Sequence, residues 1–133
     1  MINKKGFMII DDDDDDRFFF KSALMEMLPT SICFEANGCI EALQQLRMGE
    51  QLPDFIFLDI NMPRIDGREC LKELKKDAKL AHIPVIMYST SFNDASIAEF
   101  SKLGAASYLN KPTNITKLPE QILIAMTKSI KPA

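Results

Sequence analysis

Short apolar runs alternate with longer amphipathic stretches along this chain, and that alternation restricts the fold more than any single motif does. "FMII" (7–10), "ICFEA" (32–36), "DFIFLD" (54–59), "PVIMYS" (84–89) and "ASYLN" (106–110) have the length and the β-branched or aromatic content of strands. Residues 15–28, 39–48, 67–80, 95–103 and 118–130 carry apolar residues at i, i+3 or i+4 and read as helices. Pro29, "MGEQLPD", "AHIP", Gly104 and "NKPTN" punctuate the joins. Parallel neighbours need crossover connections, and right-handed crossovers place helices on both faces of the sheet. The order βα repeated five times therefore predicts a doubly wound α/β fold with a five-stranded parallel sheet and five helices. Near-continuously apolar strands suit burial on both faces. In such sheets ligands bind beyond the carboxyl ends of the strands.

With 133 residues the chain can enclose one core, so residues 1–133 are expected to form a single domain. Only "KPA" follows the last predicted helix, so no attached output domain is expected. Hydrophobic residues make up 47% and charged residues 26%, a balance that excludes a disordered or fibrous chain. A net charge of -3 without a Lys/Arg cluster argues against direct nucleic-acid binding. The apolar stretch near the N-terminus is too short for a signal peptide, and no run approaches a membrane span, so a cytoplasmic protein is expected. Cys33, Cys39 and Cys70 lack CxxC spacing, and His82 has no soft co-ligand; reduced thiols without a metal are expected.

"FMIIDDDDDDRFFF" (7–20) places six aspartates directly after the first strand. Adjacent carboxylates repel, by about 1 kcal/mol per unit-charge pair 4 Å apart in water. A calcium loop fails, because its sixth position would need Gly and is Asp16, and its twelfth would need Glu and is Ser22. The run divides more naturally: Asp11 and Asp12 finish the strand, Asp13 turns the chain or caps the helix, and Asp14 to Asp16 lie in the first helical turn, where the helix dipole favours negative charge. On that helix Phe20, Ala23, Leu24, Met27 and Leu28 share a face and Phe18 falls opposite, exposed.

The other strand ends complete the pattern. The third strand ends at Asp59, the fourth at Ser89, and the fifth leads to Lys111 before Pro112. Clustered carboxylates with few ligands suit Mg²⁺, which keeps several waters and completes its octahedron with phosphate. An Asp can form an acyl phosphate, while a divalent cation and an ammonium offset charge on the transferred group. Singly, each residue has a plainer use: Asp59 as a helix N-cap, Ser89 as a turn hydroxyl, Lys111 as a solvated lysine, Tyr108 as a packing aromatic, and Met62, Pro63 and Gly67 as loop-shaping residues. Their conjunction at strand ends carries the chemistry.

The chain resembles the receiver domain of two-component response regulators. The resemblance rests on the "DD" pair (11–12), "FLDINMPRIDG" (57–67), "PVIMYSTS" (84–91) and "GAASYLNKP" (104–112), in that order. It implies a flavodoxin-like (β/α)5 fold with strand order 2-1-3-4-5. It also implies that Asp59 is the phosphoacceptor, and that Asp11, Asp12, Asp59 and the backbone carbonyl of Asn61 hold Mg²⁺, for which Mn²⁺ can substitute. Ser89 would hydrogen-bond a phosphoryl oxygen, Lys111 would pair with the phosphate or with Asp59, and Tyr108 would be the aromatic switch residue. Further implications are a cis Lys111–Pro112 bond, and positions Asn61 and Ser91 that tune phosphate lifetime. The expected donor is a histidine kinase or a histidine phosphotransfer protein, docked partly on the first helix, where Phe18 would meet it. The expected output is a partner protein, not yet named, contacting the fourth helix, fifth strand and fifth helix. "ECLKELKKDAKLAHIPVIMYSTS" (69–91) resembles single-domain receivers paired with phytochrome-type kinases. Such a domain is not an enzyme beyond its own phosphorylation and dephosphorylation. Two alternatives stand beside this: a receiver-like binding module working without phosphate, and a haloacid-dehalogenase-like phosphatase using Asp11, Asp13, Ser89 and Lys111. The second lacks an acidic motif after Lys111 and leaves Asp59 without a task.

Overall fold

The computed structural model describes residues 5–49, 51–90 and 92–130. Its elements run β1 (Gly6–Ile10), α1 (Asp14–Met27), β2 (Ile32–Ala36), α2 (Cys39–Met48), β3 (Phe55–Asp59), α3 (Gly67–Lys76), β4 (Val85–Ser89), α4 (Asp94–Lys102), β5 (Ser107–Asn110) and α5 (Leu118–Ser129), with a 3-10 turn at Ile115–Lys117 ahead of α5. All strand pairs are parallel, in the order β2-β1-β3-β4-β5. This is the five-stranded, doubly wound flavodoxin-like sheet that the alternation and the resemblance predict.

Successive strand residues face opposite sides of the sheet. Phe7, Ile9, Phe57, Ile86 and Tyr88 therefore pack with Phe20 and Leu24 of α1 and Ile122 and Ala125 of α5. Met8, Ile10, Ile56, Leu58 and Met87 pack on the other side with Leu43 and Leu46 of α2, Leu71 and Leu74 of α3, and Phe100 of α4. Each fully buried large apolar side chain stabilises by about 1.5–3 kcal/mol. The wheel drawn from the sequence holds for α1: Phe20, Ala23 and Leu24 are buried, and Phe18 is 64% exposed. Among the described residues, no helix is long and apolar enough to cross a membrane.

Two boundaries have instructive causes. Helix α3 stops at Lys76 rather than at residue 80. Asp77 follows it with its side chain accepting from the Lys79 N–H at 2.9 Å, while its carbonyl accepts from the Leu80 N–H at 2.9 Å. Leu80 is still buried, so the apolar spacing continues past the end of the helix. At the start of α3, Gly67 donates its N–H to the Ile60 carbonyl at 2.8 Å. A Cβ at Gly67 would lie 2.5 Å from the Asp59 carbonyl oxygen. Only glycine lets α3 press this closely on the end of β3.

The expectation of three reduced cysteines is corrected. Cys39, the first residue of α2, and Cys70 of α3 form a disulfide with their Cα atoms 5.6 Å apart. Both helices cover the same face of the sheet, which brings together residues 31 apart in sequence whose spacing carries no signal. Cys33 is the free thiol, and burial pushes its pKa up to about 12.

Candidate functional site

The strand ends converge on one cleft. The Asp11 N–H donates to the Ala36 carbonyl at 3.1 Å, continuing the β1–β2 pairing by one residue and burying Asp11 completely. Arg17 Nη1 donates to the Asp11 carbonyl at 2.6 Å, and Asp11 Oδ1 accepts from the Asp13 N–H at 3.0 Å. Asp13 is the N-cap of α1, accepting from the N–H groups of Asp15 at 2.8 Å and Asp16 at 3.2 Å. Asp14 pairs with Arg17. The aspartate run thus divides as its sequence predicts into a strand end, a cap and a first helical turn.

Asp59 ends β3 and is buried, accepting from the backbone N–H of Asn61. The Lys111 N–H donates to the Ser89 carbonyl at 2.7 Å, anchoring the residue beside the end of β4. From there its Nζ reaches Asp16 Oδ2 at 2.8 Å, Asp11 Oδ2 at 3.1 Å and Asp59 Oδ1 at 3.4 Å. The ammonium lies 4.7 Å from the centre of the Tyr88 ring. The cleft, of about 240 Å³, is also lined by Asp12, Asn61 and Thr90.

Charge is unbalanced here, since five carboxylates line the cleft with one ammonium. Burial, reinforced by the Asp11 charge and opposed by Lys111, pushes the Asp59 carboxyl up to about 6. Burial also raises Asp11, against the Asp13 N–H and Lys111. Burial lowers the Lys111 ammonium, but hydrogen bonds and charge from Asp16, Asp11 and Asp59 outweigh it and leave the group above its ordinary value. Asp11, Asp12 and Asp59 each offer an oxygen, all within 4.8 Å of one another, with Asp12 exposed and the other two buried. Hard oxygen donors with one open side fit an octahedral divalent cation that retains water better than a closed, softer site.

Most of the residues singled out in the sequence meet here, with some adjustments. Asp11, Asp12, Asp59, Asn61 and Lys111 line the cleft, and Ser89 is buried at the end of β4 next to it. The residue after Ser89, Thr90, lines the cleft itself and was not anticipated. Tyr108 is 39% exposed on β5, its ring 5.5 Å from that of Phe92. Ser91 lies outside the described residues. The expected cis bond is corrected: Lys111–Pro112 is trans, as no cis peptide occurs among the described residues. Trans is the lower-energy isomer of an X-Pro bond, and Lys111 reaches the carboxylates with it. Asp13 caps α1 with one carboxylate oxygen while also lining the cleft. Asp16, read in the sequence only as first-turn charge, is the shortest contact of the Lys111 ammonium.

Comparison with known proteins agrees with this geometry. The model of the response regulator receiver domain matches residues 7–123. Response regulator Rcp1 of a Synechocystis species is 39% identical over 66 residues, covering 50% of this chain and 45% of Rcp1. Chemotaxis protein CheY-3 of Vibrio cholerae is 33% identical over 88 residues, 66% of each protein. The matches thus span about half to two thirds of these relatives. Among solved structures, the phosphorylated cyanobacterial phytochrome response regulator RcpA superposes with a TM-score of 0.84 at 27% identity, covering 98% of this chain and 100% of that one. With the strand order, the acidic cleft and the lysine at the fifth strand all in place, the chain belongs to the response regulator receiver domain family.

Proposed function

We propose that this receiver accepts a phosphoryl group on Asp59 from a phosphohistidine of a histidine kinase or histidine phosphotransfer protein. The observation that carries the reading is the buried Asp59 carboxylate with Lys111 Nζ at 3.4 Å, in one cleft with Asp11 and Asp12. An Asp59 oxygen attacks phosphorus, the phosphorus–nitrogen bond to the imidazole breaks, and its electron pair leaves with that nitrogen. Lys111 donates to a phosphoryl oxygen as charge redistributes. Asp11, Asp12, Asp59 and the Asn61 carbonyl would hold Mg²⁺ or Mn²⁺, which supplies positive charge at the phosphoryl oxygens.

Output runs through α4, β5 and α5, next to Ser89 at the end of β4 and Tyr108 on β5, which respond to the phosphate. Phosphorylation shifts a pre-existing equilibrium by no more than its differential interaction with the two arrangements. The likeness to RcpA supports a phytochrome-type kinase as donor, in keeping with residues 69–91. The domain acts as a signalling phosphoacceptor rather than as an enzyme on an external substrate. Incubation with phosphoramidate and Mg²⁺ should add one phosphoryl group by intact mass. EDTA should prevent the addition and Asp59→Asn should abolish it; phosphorylation of Asp59→Asn would refute the assignment.

A further inference from the structure

Lys111 has three N–H donors, and the structure offers its Nζ three carboxylate acceptors: Asp16 at 2.8 Å, Asp11 at 3.1 Å and Asp59 at 3.4 Å. Two of these acceptors have other work under the proposed function. Asp59 becomes the nucleophile, and Asp11 is a candidate metal ligand whose charge a cation would share. Asp16 has no such task. Its carboxylate pairs with Lys111 alone among the described residues, at the shortest of the three distances. Asp16 is also fixed in place, because its backbone N–H is bound by the cap residue Asp13 at the start of α1.

We propose that Asp16 is the positioning residue of Lys111: it holds the ammonium from the α1 side so that another N–H is aimed at the oxygens carried by Asp59. The inference rests on the phosphoacceptor reading of Asp59. A lysine side chain has four rotatable bonds, and left to itself its ammonium would sample many positions around the cleft. Asp16 on one flank and the Tyr88 ring beneath, 4.7 Å from Nζ, restrict it to one region before the donor arrives. When a cation draws on Asp11, Asp16 is the anchor that remains.

A merely structural role has a clean control. Asp15 sits in the same first turn of α1 and is exposed, without contact to Lys111, so Asp15→Asn removes the same helix-terminal charge. The rate of phosphorylation by phosphoramidate with Mg²⁺, measured against donor concentration, should fall about tenfold at saturation in Asp16→Asn. Half-saturation should stay unchanged. Asp15→Asn should stay within about twofold of wild type, and Asp16→Glu should recover part of the loss. In a Lys111→Ala background, Asp16→Asn should cause no further loss. In unphosphorylated protein, the ammonium resonance of Lys111 in NMR should be visible at low temperature in wild type and Asp15→Asn, and broadened in Asp16→Asn.

Equal rates for Asp16→Asn and Asp15→Asn, or an undiminished Asp16→Asn effect without Lys111, would overturn the proposal. Wild type that takes no phosphate, while its Lys111 resonance shows the pairing, would instead overturn the phosphoacceptor reading and this role with it.

Discussion

Ile10 and Asp11 are consecutive residues, and neither exposes surface to solvent. For Ile10 this burial is the source of stability: it joins the apolar cluster beneath α2 and α3. For Asp11 it costs free energy, and the carboxyl responds with a raised pKa that only the Asp13 N–H and Lys111 restrain. The same step recurs on β3 between Leu58 and Asp59. The faces of the sheet are apolar and internally satisfied, whereas its carboxyl edge is a row of like charges held together by one lysine. Burial raises the carboxyls of Asp11 and Asp59, so this edge carries an electrostatic load that the faces do not. An edge under that electrostatic load gains from a cation, and a phosphoryl group entering the cleft would need the same positive charge.

Breaking the face side should have the largest effect. Reducing the Cys39–Cys70 link, which closes a long loop between α2 and α3, should lower unfolding stability by about 2–4 kcal/mol in urea titrations with and without dithiothreitol. Equal stability in both conditions would remove the disulfide from the account of this face.

The edge side should move oppositely. Asp59 titrates at about 6 in the folded protein against an ordinary 3.8, so between those values the native state binds more protons than the unfolded one. Stability from this group therefore falls as pH rises through that window, and the whole penalty is present above it. Asp59→Asn in EDTA should thus raise stability by about 1–3 kcal/mol at neutral pH. The gain should fade as pH is lowered through the same window. A destabilised Asp59→Asn at neutral pH would mean that its pairing with Lys111 outweighs burial and repulsion.

Mg²⁺ should relieve the same load more gently. At about ten times its Kd it should add about 1.4 kcal/mol, read as a higher Tm, and Asp12→Ala should largely remove the shift. An undiminished shift in Asp12→Ala would mean diffuse condensation of cations on the acidic run. The smallest change in stability should come from Phe18→Ala, within about 0.5 kcal/mol, because the ring is exposed. Its expected effect is slower transfer from a phosphohistidine domain, and unchanged transfer would remove Phe18 from the donor contact.

The difference between faces and edge also governs what could be read in the sequence. The faces are written in local periodicity: the bounds of β2 and α2 coincide with those inferred from apolar spacing, and the other elements agree at their starts to within a residue. The end of α3 was hidden because Leu80 keeps the helical rhythm after Asp77 has stopped the backbone. Asp11, Asp12, Asp59 and Lys111 were legible because strand ends are where this architecture collects chemistry. Asp16 was not, since its contact with Lys111 spans 95 residues of sequence and nothing local distinguishes it from Asp15. The disulfide was hidden for the same reason, being a product of which helices share a face.

The central claim is that the loaded edge exists to place a phosphoryl group on Asp59. Protein treated with phosphoramidate and Mg²⁺ and then reduced with borohydride, which converts an acyl phosphate to homoserine, should yield homoserine at position 59 alone on peptide mapping. Conversion at Asp11, Asp12 or Asp16, or none under conditions where wild type gains a phosphoryl group, would contradict it.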